Sequence, residues 1–436
     1  MTQKTRIGRR RFLKQTAAGA LGAGIAGRGA WAGDGGRQTQ DSRKIKDYRV
    51  FGRTGFKVSD IGAGTIQDDG VLRAALEAGV NYLDTGEEYP GHHKIISRAI
   101  KGLDRKSLFI CTKIMVKDDK SKEGFISRTR KCLEDMQTEY VDCLMMHMPE
   151  KVEFLKTEGF HAAMTELKAE GRVRSVGASH HGSFWYTEPA ESMETVLMAA
   201  VEDGRFDALL LAYNFLQMDQ SERVLNACKA KNIGTVIMKA SPIAIYYSMK
   251  ERVEKLQKEN KEVSAFAAEG LRRYQDKADR AEKFIREHNL RNPQEIQDAA
   301  VRFVLGNPNV SSVCCLPKTY DDMDRFVLLS GTRLSSAETA RLEAYKTGCG
   351  ELYCRHACGL CEPACPRGVP VNTIMRYNQY YAGQRREKEA MLYYAAIPGP
   401  RADACADCPG HCEAACPYGV PIQGMLLTAH GQLSMP

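Results

Sequence analysis

NYLDTGEEYPG (81–91), LFICTKI (108–114) and YVDCLMMH (140–147) decide how the rest of the chain is read. Each is a short run of apolar and β-branched residues that carries a polar group at its end: Asp84, Lys113 and His147. A strand covered on both faces reads as such a near-continuous apolar run, whereas a half-exposed strand alternates. Five more runs of this kind flank the three: VSDIGAGT (58–65), VRSVGASH (173–180), FDALLLAYN (206–214), GTVIMKA (234–240) and VSSVCCLP (310–317). Helical patterns such as Val71–Ala78 and Phe160–Glu170 separate most of them. This alternation predicts a parallel sheet in the α/β class, and eight units predict a closed (β/α)8 TIM barrel. YRVFGRTGFKV (48–58) predicts a hairpin ahead of the first barrel strand. The charged stretch 249–289 predicts polar, solvated helices inserted over the barrel.

In such a barrel the C-terminal strand ends converge on one mouth. Asp84, Lys113, His147 and the pair Ser179-His180 all fall at such ends. Core packing does not account for them, because an unpaired buried charge is costly. They are candidates for chemistry.

These runs, taken in order, resemble the aldo-keto reductase family from about Tyr48 to Leu329. GRTGFKVSDIGAGT (52–65) is similar to its opening segment, NYLDTGEEYPG to its Asp-Thr-x-x-x-Tyr motif, and CTK (111–113) to its lysine strand. EYVDCLMMH (139–147), GRVRSVGAS (171–179), NIGTVIMK (232–239) and RFVLGNPNVSSVCCLPK (302–318) are similar to later strands. The resemblance implies a catalytic tetrad of Asp84, Tyr89, Lys113 and His147. Tyr89 would give a proton to the oxygen of a carbonyl substrate, or take one from an alcohol, with Lys113 lowering its pKa. Asp84 would pair the lysine, and His147 would orient the carbonyl. The resemblance also implies NADP(H), with Ser179, His180, Met238 and Lys239 near the nicotinamide and phosphates, and Lys318 and Thr319 at the 2′-phosphate. The chain departs from the family pattern at Leu210 and Asp324, where glutamine and arginine are usual.

Eight of the 15 cysteines lie between Cys354 and Cys416. They form a repeat in which CEPACPRGVPV (361–371) answers CEAACPYGVPI (412–422). The full sets are Cys354, Cys358, Cys361 and Cys365, then Cys405, Cys408, Cys412 and Cys416, each ending in Cys-Pro. This is the ligand pattern of ferredoxin-type 4Fe-4S sites, with one extra residue in each motif. Two clusters are predicted in a small helical and loop module. If the fourth cysteine crosses over, as in two-cluster ferredoxins, Cys416 completes the first set and Cys365 the second. Structural zinc and disulfides are the alternatives. Cys349 lies just before the repeat, and the other six cysteines sit at apolar, strand-like positions and read as inert core.

The net charge of +8 is a local feature. Residues 1–32 carry seven basic residues and no acid, which leaves the remainder near neutral and excludes a basic nucleic-acid-binding body. Arg9-Arg10, an Ala/Gly-rich stretch and Ala30-Trp31-Ala32 follow in the order of a twin-arginine export signal. The apolar part is too short and too weakly hydrophobic for a membrane anchor. The chain thus divides into a leader (1–32), a linker (33–47), the barrel (48–335) and a dicluster ferredoxin-like domain (349–436). The expectation is an exported oxidoreductase of the periplasm or cell envelope, acting on a small carbonyl or alcohol and able to meet a redox partner protein. The alternative is an electron-transfer protein that uses the barrel as scaffold.

Overall fold

A closed ring of eight parallel strands is the centre of the molecule. The computed structural model describes residues 43–116, 119–182, 190–242, 264–384 and 386–434. The leader, most of the linker and the first part of the charged stretch lie outside the described residues.

The hairpin comes first: β1 (Tyr48–Val50) pairs antiparallel with β2 (Lys57–Ser59). The barrel strands are β3 (Ile61–Ala63), β4 (Tyr82–Asp84), β5 (Phe109–Met115), β6 (Val141–His147), β7 (Val173–His180), β8 (Ala208–Ala212), β9 (Gly234–Met238) and β10 (Ser312–Cys315). β10 pairs with β3 and so closes the ring. The predicted first strand, 58–65, is therefore two short strands either side of Asp60. Asp60 accepts from the Ser330 hydroxyl and the Gly331 amide, which ties the barrel's N-terminal side to residues after the last strand. Phe51 from the hairpin turn packs against the rings of Tyr82 and Phe109 inside the ring and plugs its bottom. All seven residues of β5 and of β6 are buried, as near-continuous apolar runs require.

The charged stretch needs correction. The long helix Ala265–Glu287 does not lie solvated over the barrel. It buries Ala267, Gly270, Tyr274, Ala278, Ala281 and Ile285 in one apolar core with the C-terminal segment. At its crossing with the helix Ile422–Leu433, a Cβ on Gly424 would fall 2.4 Å from the Gly270 carbonyl oxygen. Only glycine permits so close an approach. The helix Ser336–Cys349 joins the same core through Leu342, Tyr345 and Cys349. Barrel and C-terminal segment form one compact unit, Ser42–Pro436. Among the described residues no helix is long and apolar enough to cross a membrane.

Candidate active site

Asp84 and His147 close β4 and β6, and Lys113 stands two residues before the end of β5, so parallel pairing delivers all three to one rim. Lys113 Nζ donates to Asp84 Oδ2 at 2.5 Å and to the Thr85 carbonyl at 2.7 Å. Burial alone would lower the lysine pKa, but Asp84, Tyr89 and Cys111 outweigh it and hold the ammonium protonated. Tyr89 follows β4 on a short turn, where its amide donates to the Gly86 carbonyl. Its ring centre lies 5.5 Å from Lys113 Nζ and 5.8 Å from the His147 ring, nearly edge-on. The four tetrad candidates are thus brought together. One expectation reverses. Lys113 does pull the Tyr89 phenol down, but desolvation is larger and pushes it up to about 12.

Of the cofactor candidates, Ser179 is buried and its hydroxyl has no hydrogen-bond partner among the described residues. His180 Nε2 meets the Glu191 carbonyl at 3.3 Å. Met238 ends β9, and Lys239 after it is half-buried with a left-handed φ of 59°. The proposed 2′-phosphate end is already engaged. Lys318 Nζ donates to the Gln384 carbonyl at 2.9 Å, and Thr319 caps the helix Tyr320–Leu329 by accepting from the Asp322 amide. Arg325 pairs with Asp298.

The C-terminal segment roofs the mouth, which the sequence does not reveal. From the helix Val371–Ala382, Arg376 Nη1 donates to the Gly182 carbonyl at 2.7 Å and touches Met148 Sδ at 3.0 Å. The Tyr380 ring centre lies 4.7 Å from Lys239 Nζ. Ahead of that helix, Arg355 Nε donates to the Leu216 carbonyl at 3.1 Å. Gln217 and the His356 backbone exchange two bonds, of 2.6 and 3.0 Å. Arg376, Tyr380, His181 and His356 are the site residues that sequence reasoning missed. A basic and aromatic helix just after a Cys-Pro motif was the one visible signal.

The cysteine repeat is also a structural repeat. Glu362 accepts from the Asn372 amide, and Glu413 accepts from the Gln423 amide, ten residues on in each half. Asn372 Nδ2 then bonds the Arg355 carbonyl, and Gln423 Nε2 the carbonyls of Cys405 and Cys408. Each amide side chain pins its own cysteine loop. Burial raises the thiols of Cys354, Cys358 and Cys361 first, with Cys416 a smaller contribution to each and Cys412 ahead of it at Cys361. Burial and Cys365 both raise those of Cys405 and Cys412, to about 12. One cavity is lined by Cys365, Cys405, Cys408 and Cys412 together. None of the 15 cysteines is in a disulfide. Among the described residues no three His, Cys, Asp or Glu side chains stand close enough to hold a single metal ion.

Fold and site define a (β/α)8-barrel protein whose reactive groups gather at the C-terminal mouth. The chain belongs to the aldo/keto reductase family: the family's sequence profile matches residues 65–346. Among curated proteins it is 32% identical over 124 residues to the methylglyoxal reductase DkgB of Escherichia coli O157:H7, covering 28% of this chain and 46% of that one. It is 29% identical over 181 residues to the enzyme of the same name from Salmonella typhimurium, covering 40% and 62%. The chain thus matches less than two thirds of these relatives' own length. Among solved structures, an aldo-keto reductase from Bacillus halodurans covers 69% of this chain and 96% of its own, at 18% identity and a TM-score of 0.49. One from Klebsiella pneumoniae, solved with NADPH, covers 69% and 94% at 19% identity and a TM-score of 0.48.

Proposed function

We propose that this protein is an exported oxidoreductase that transfers hydride between NADP(H) and a small carbonyl or alcohol, with two 4Fe-4S clusters beside the barrel mouth. The observation that carries the reading is the Lys113 ammonium, paired with Asp84 at 2.5 Å and set 5.5 Å from the Tyr89 ring with His147 alongside. The nicotinamide, when bound, supplies or accepts the hydride. Tyr89 gives the carbonyl oxygen its proton, and Lys113 offsets the developing phenolate charge. Asp84 fixes Lys113, and His147 orients the carbonyl. The buried Ser179 hydroxyl and the half-buried Lys239 suit an amide and a phosphate. Lys318 and Thr319 would first have to release Gln384 and Asp322. The names of the methylglyoxal reductases support a small carbonyl substrate.

Cys354, Cys358, Cys361 and Cys416 would hold one cluster, and Cys365, Cys405, Cys408 and Cys412 the other. Soft thiolates in sets of four suit iron–sulfur cubes, which carry one electron at a time to a redox partner or brace the tail. The leader supports export by the twin-arginine route to the periplasm or cell envelope, with the clusters already inserted.

The roof over the mouth favours a second reading, in which the barrel is a scaffold for electron transfer. Carbonyl reduction by anaerobically purified protein, compared with Tyr89→Phe, separates the two. Turnover that Tyr89→Phe abolishes supports the oxidoreductase; wild type without turnover, or an equally active variant, overturns it. Iron and sulfide near eight atoms each, with a cluster EPR signal on reduction, test the clusters.

A further inference from the structure

Arg355 stands between Cys354 and Cys358 in the first cysteine set and is 8% exposed. Its guanidinium is held by backbone carbonyls. Nε donates to Leu216 at 3.1 Å, and Nη1 donates to Gly350 at 2.7 Å and to Tyr353 at 2.6 Å. The Tyr418 ring, just after Cys416, has its centre 4.1 Å from the guanidinium carbon. These contacts satisfy hydrogen bonds, but none carries a negative charge. Arg355 makes no ion pair among the described residues. A buried cation without a counter-charge is costly.

The thiols around it are the groups that would supply that charge. Burial raises the thiols of Cys354 and Cys358, and Arg355 acts against it at both. A 4Fe-4S cube bound by four thiolates is an anion and gains a further negative charge on reduction, so charge close by helps to set its potential. The second half of the repeat lacks this cation. The residue after its first cysteine is Ala406, where the first half has Arg355. Arg273, which reaches the second set, is paired with Glu413 at 2.8 Å, and Arg367 is exposed. The acids do not make the difference, because Glu362 and Glu413 hold matching places in the two halves. Burial does not make it either: Cys358, Cys405, Cys408 and Cys412 are all buried.

We infer that Arg355 is the buried counter-charge of the cluster held by Cys354, Cys358 and Cys361, and that it raises the reduction potential of that cluster and not of the other. The inference rests on the reading of the cysteine sets as 4Fe-4S ligands; it does not require hydride transfer. In a low-dielectric surrounding a fixed cation favours the more negative, reduced state. The same guanidinium reaches Leu216 of the barrel, next to Gln217, which bonds the His356 backbone. The charge thus acts on the cluster docked against the barrel.

The test is an EPR-monitored redox titration of the full-length, anaerobically purified protein, with dithionite as reductant and iron counted on the same sample. Arg355→Gln keeps hydrogen-bond donors for the carbonyls and removes the charge; Arg355→Lys keeps the charge. The signals are assigned by Cys358→Ser and Cys408→Ser, one from each set. In Arg355→Gln the step of the signal that Cys358→Ser alters should move to lower potential by tenfold or more in the reduction equilibrium, about 59 mV for one electron. The other step should stay, and Arg355→Lys should return the first to within threefold of wild type. Unmoved potentials in Arg355→Gln, an equal shift of both steps, or as large a shift in Arg355→Lys overturns the inference. If Arg355→Gln fails to load one cluster while Arg355→Lys loads both, the charge is needed for assembly and the inference stands. If neither variant loads, the planar guanidinium is a structural clamp and the inference falls. Wild type without iron overturns the cluster reading and the inference with it; iron present with unmoved potentials overturns the inference alone.

Discussion

Lys113 and Asp84 form a salt bridge of 2.5 Å inside the barrel, with the lysine side chain 1% exposed and the aspartate 8%. A buried pair of this kind is poor evidence of net stability, but breaking it from one side strands a charge. Asp84→Asn should therefore destabilise the protein by about 3–5 kcal/mol. The double variant Asp84→Asn/Lys113→Met should recover much of that loss. Denaturant melts of the two singles and the double form the check, and additive losses would show that the pair is not coupled.

Desolvation holds the Tyr89 phenol protonated up to about pH 12 in the unliganded protein. A reduction that uses its proton should thus show no fall in kcat from Tyr89 titration across neutral pH. Alcohol oxidation, which needs the phenolate, should rise about tenfold per pH unit below that pKa. Tyr89→Phe should cost about 10²–10⁴-fold in kcat. A reduction limb that falls near pH 7 and vanishes in Tyr89→Phe would contradict the assignment.

Three histidines should make the fold acid-sensitive. Burial pushes His92 down to about 3, and His93 and His180 to about 4. His92 is held neutral between the Thr85 hydroxyl and the Ile66 carbonyl. Unfolded, each takes up a proton near pH 6.5. The depressed native values mean that stability is complete above pH 6.5 and is lost as pH falls toward 4. Each contributes up to about 1.4 kcal/mol per pH unit in that window. Denaturation free energies at pH 7.5 and 5.5 test this, and His92→Gln should flatten the slope.

If the proposed clusters form and exchange their last cysteines, each cysteine variant should lose a particular one. Cys416→Ser should disturb the site of Cys354, Cys358 and Cys361. Cys365→Ser should disturb the site of Cys405, Cys408 and Cys412. Iron content and EPR of the two variants should differ in which signal is altered; loss within each variant's own sequence motif would refute the crossover.

Gly424→Ala would place a Cβ against the Gly270 carbonyl oxygen and Tyr274 Cβ, at 2.4 and 2.6 Å. Backbone on one side leaves little to yield, so a loss of about 1–3 kcal/mol is expected. Thermal unfolding and iron retention should fall together, because the same helix crossing supports the cysteine module.

The eight apolar runs by themselves determined the barrel, because a strand buried on both faces has no freedom in composition. Asp84, Lys113 and His147 were legible for the same reason: a polar group at the end of a buried run has few structural uses. The cysteine repeat was legible as a repeat, since CEPACPRGVPV (361–371) matches CEAACPYGVPI (412–422); the matching bonds of Glu362 and Glu413 to the Asn372 and Gln423 amides came from the structure. Only the tertiary structure decided where the halves meet. Arg376 reaches Gly182 across 194 residues, and no local pattern encodes such a contact. The helix Ala265–Glu287 read as solvated because its buried face is made mostly of Ala, Gly and Tyr, with Ile285 its one large aliphatic residue, among many charges, and it became core when the helix Ile422–Leu433 packed against it. The Tyr89 pKa likewise turned on enclosure: the sequence named the lysine that lowers it, and desolvation, a property of the assembled mouth, outweighed that charge.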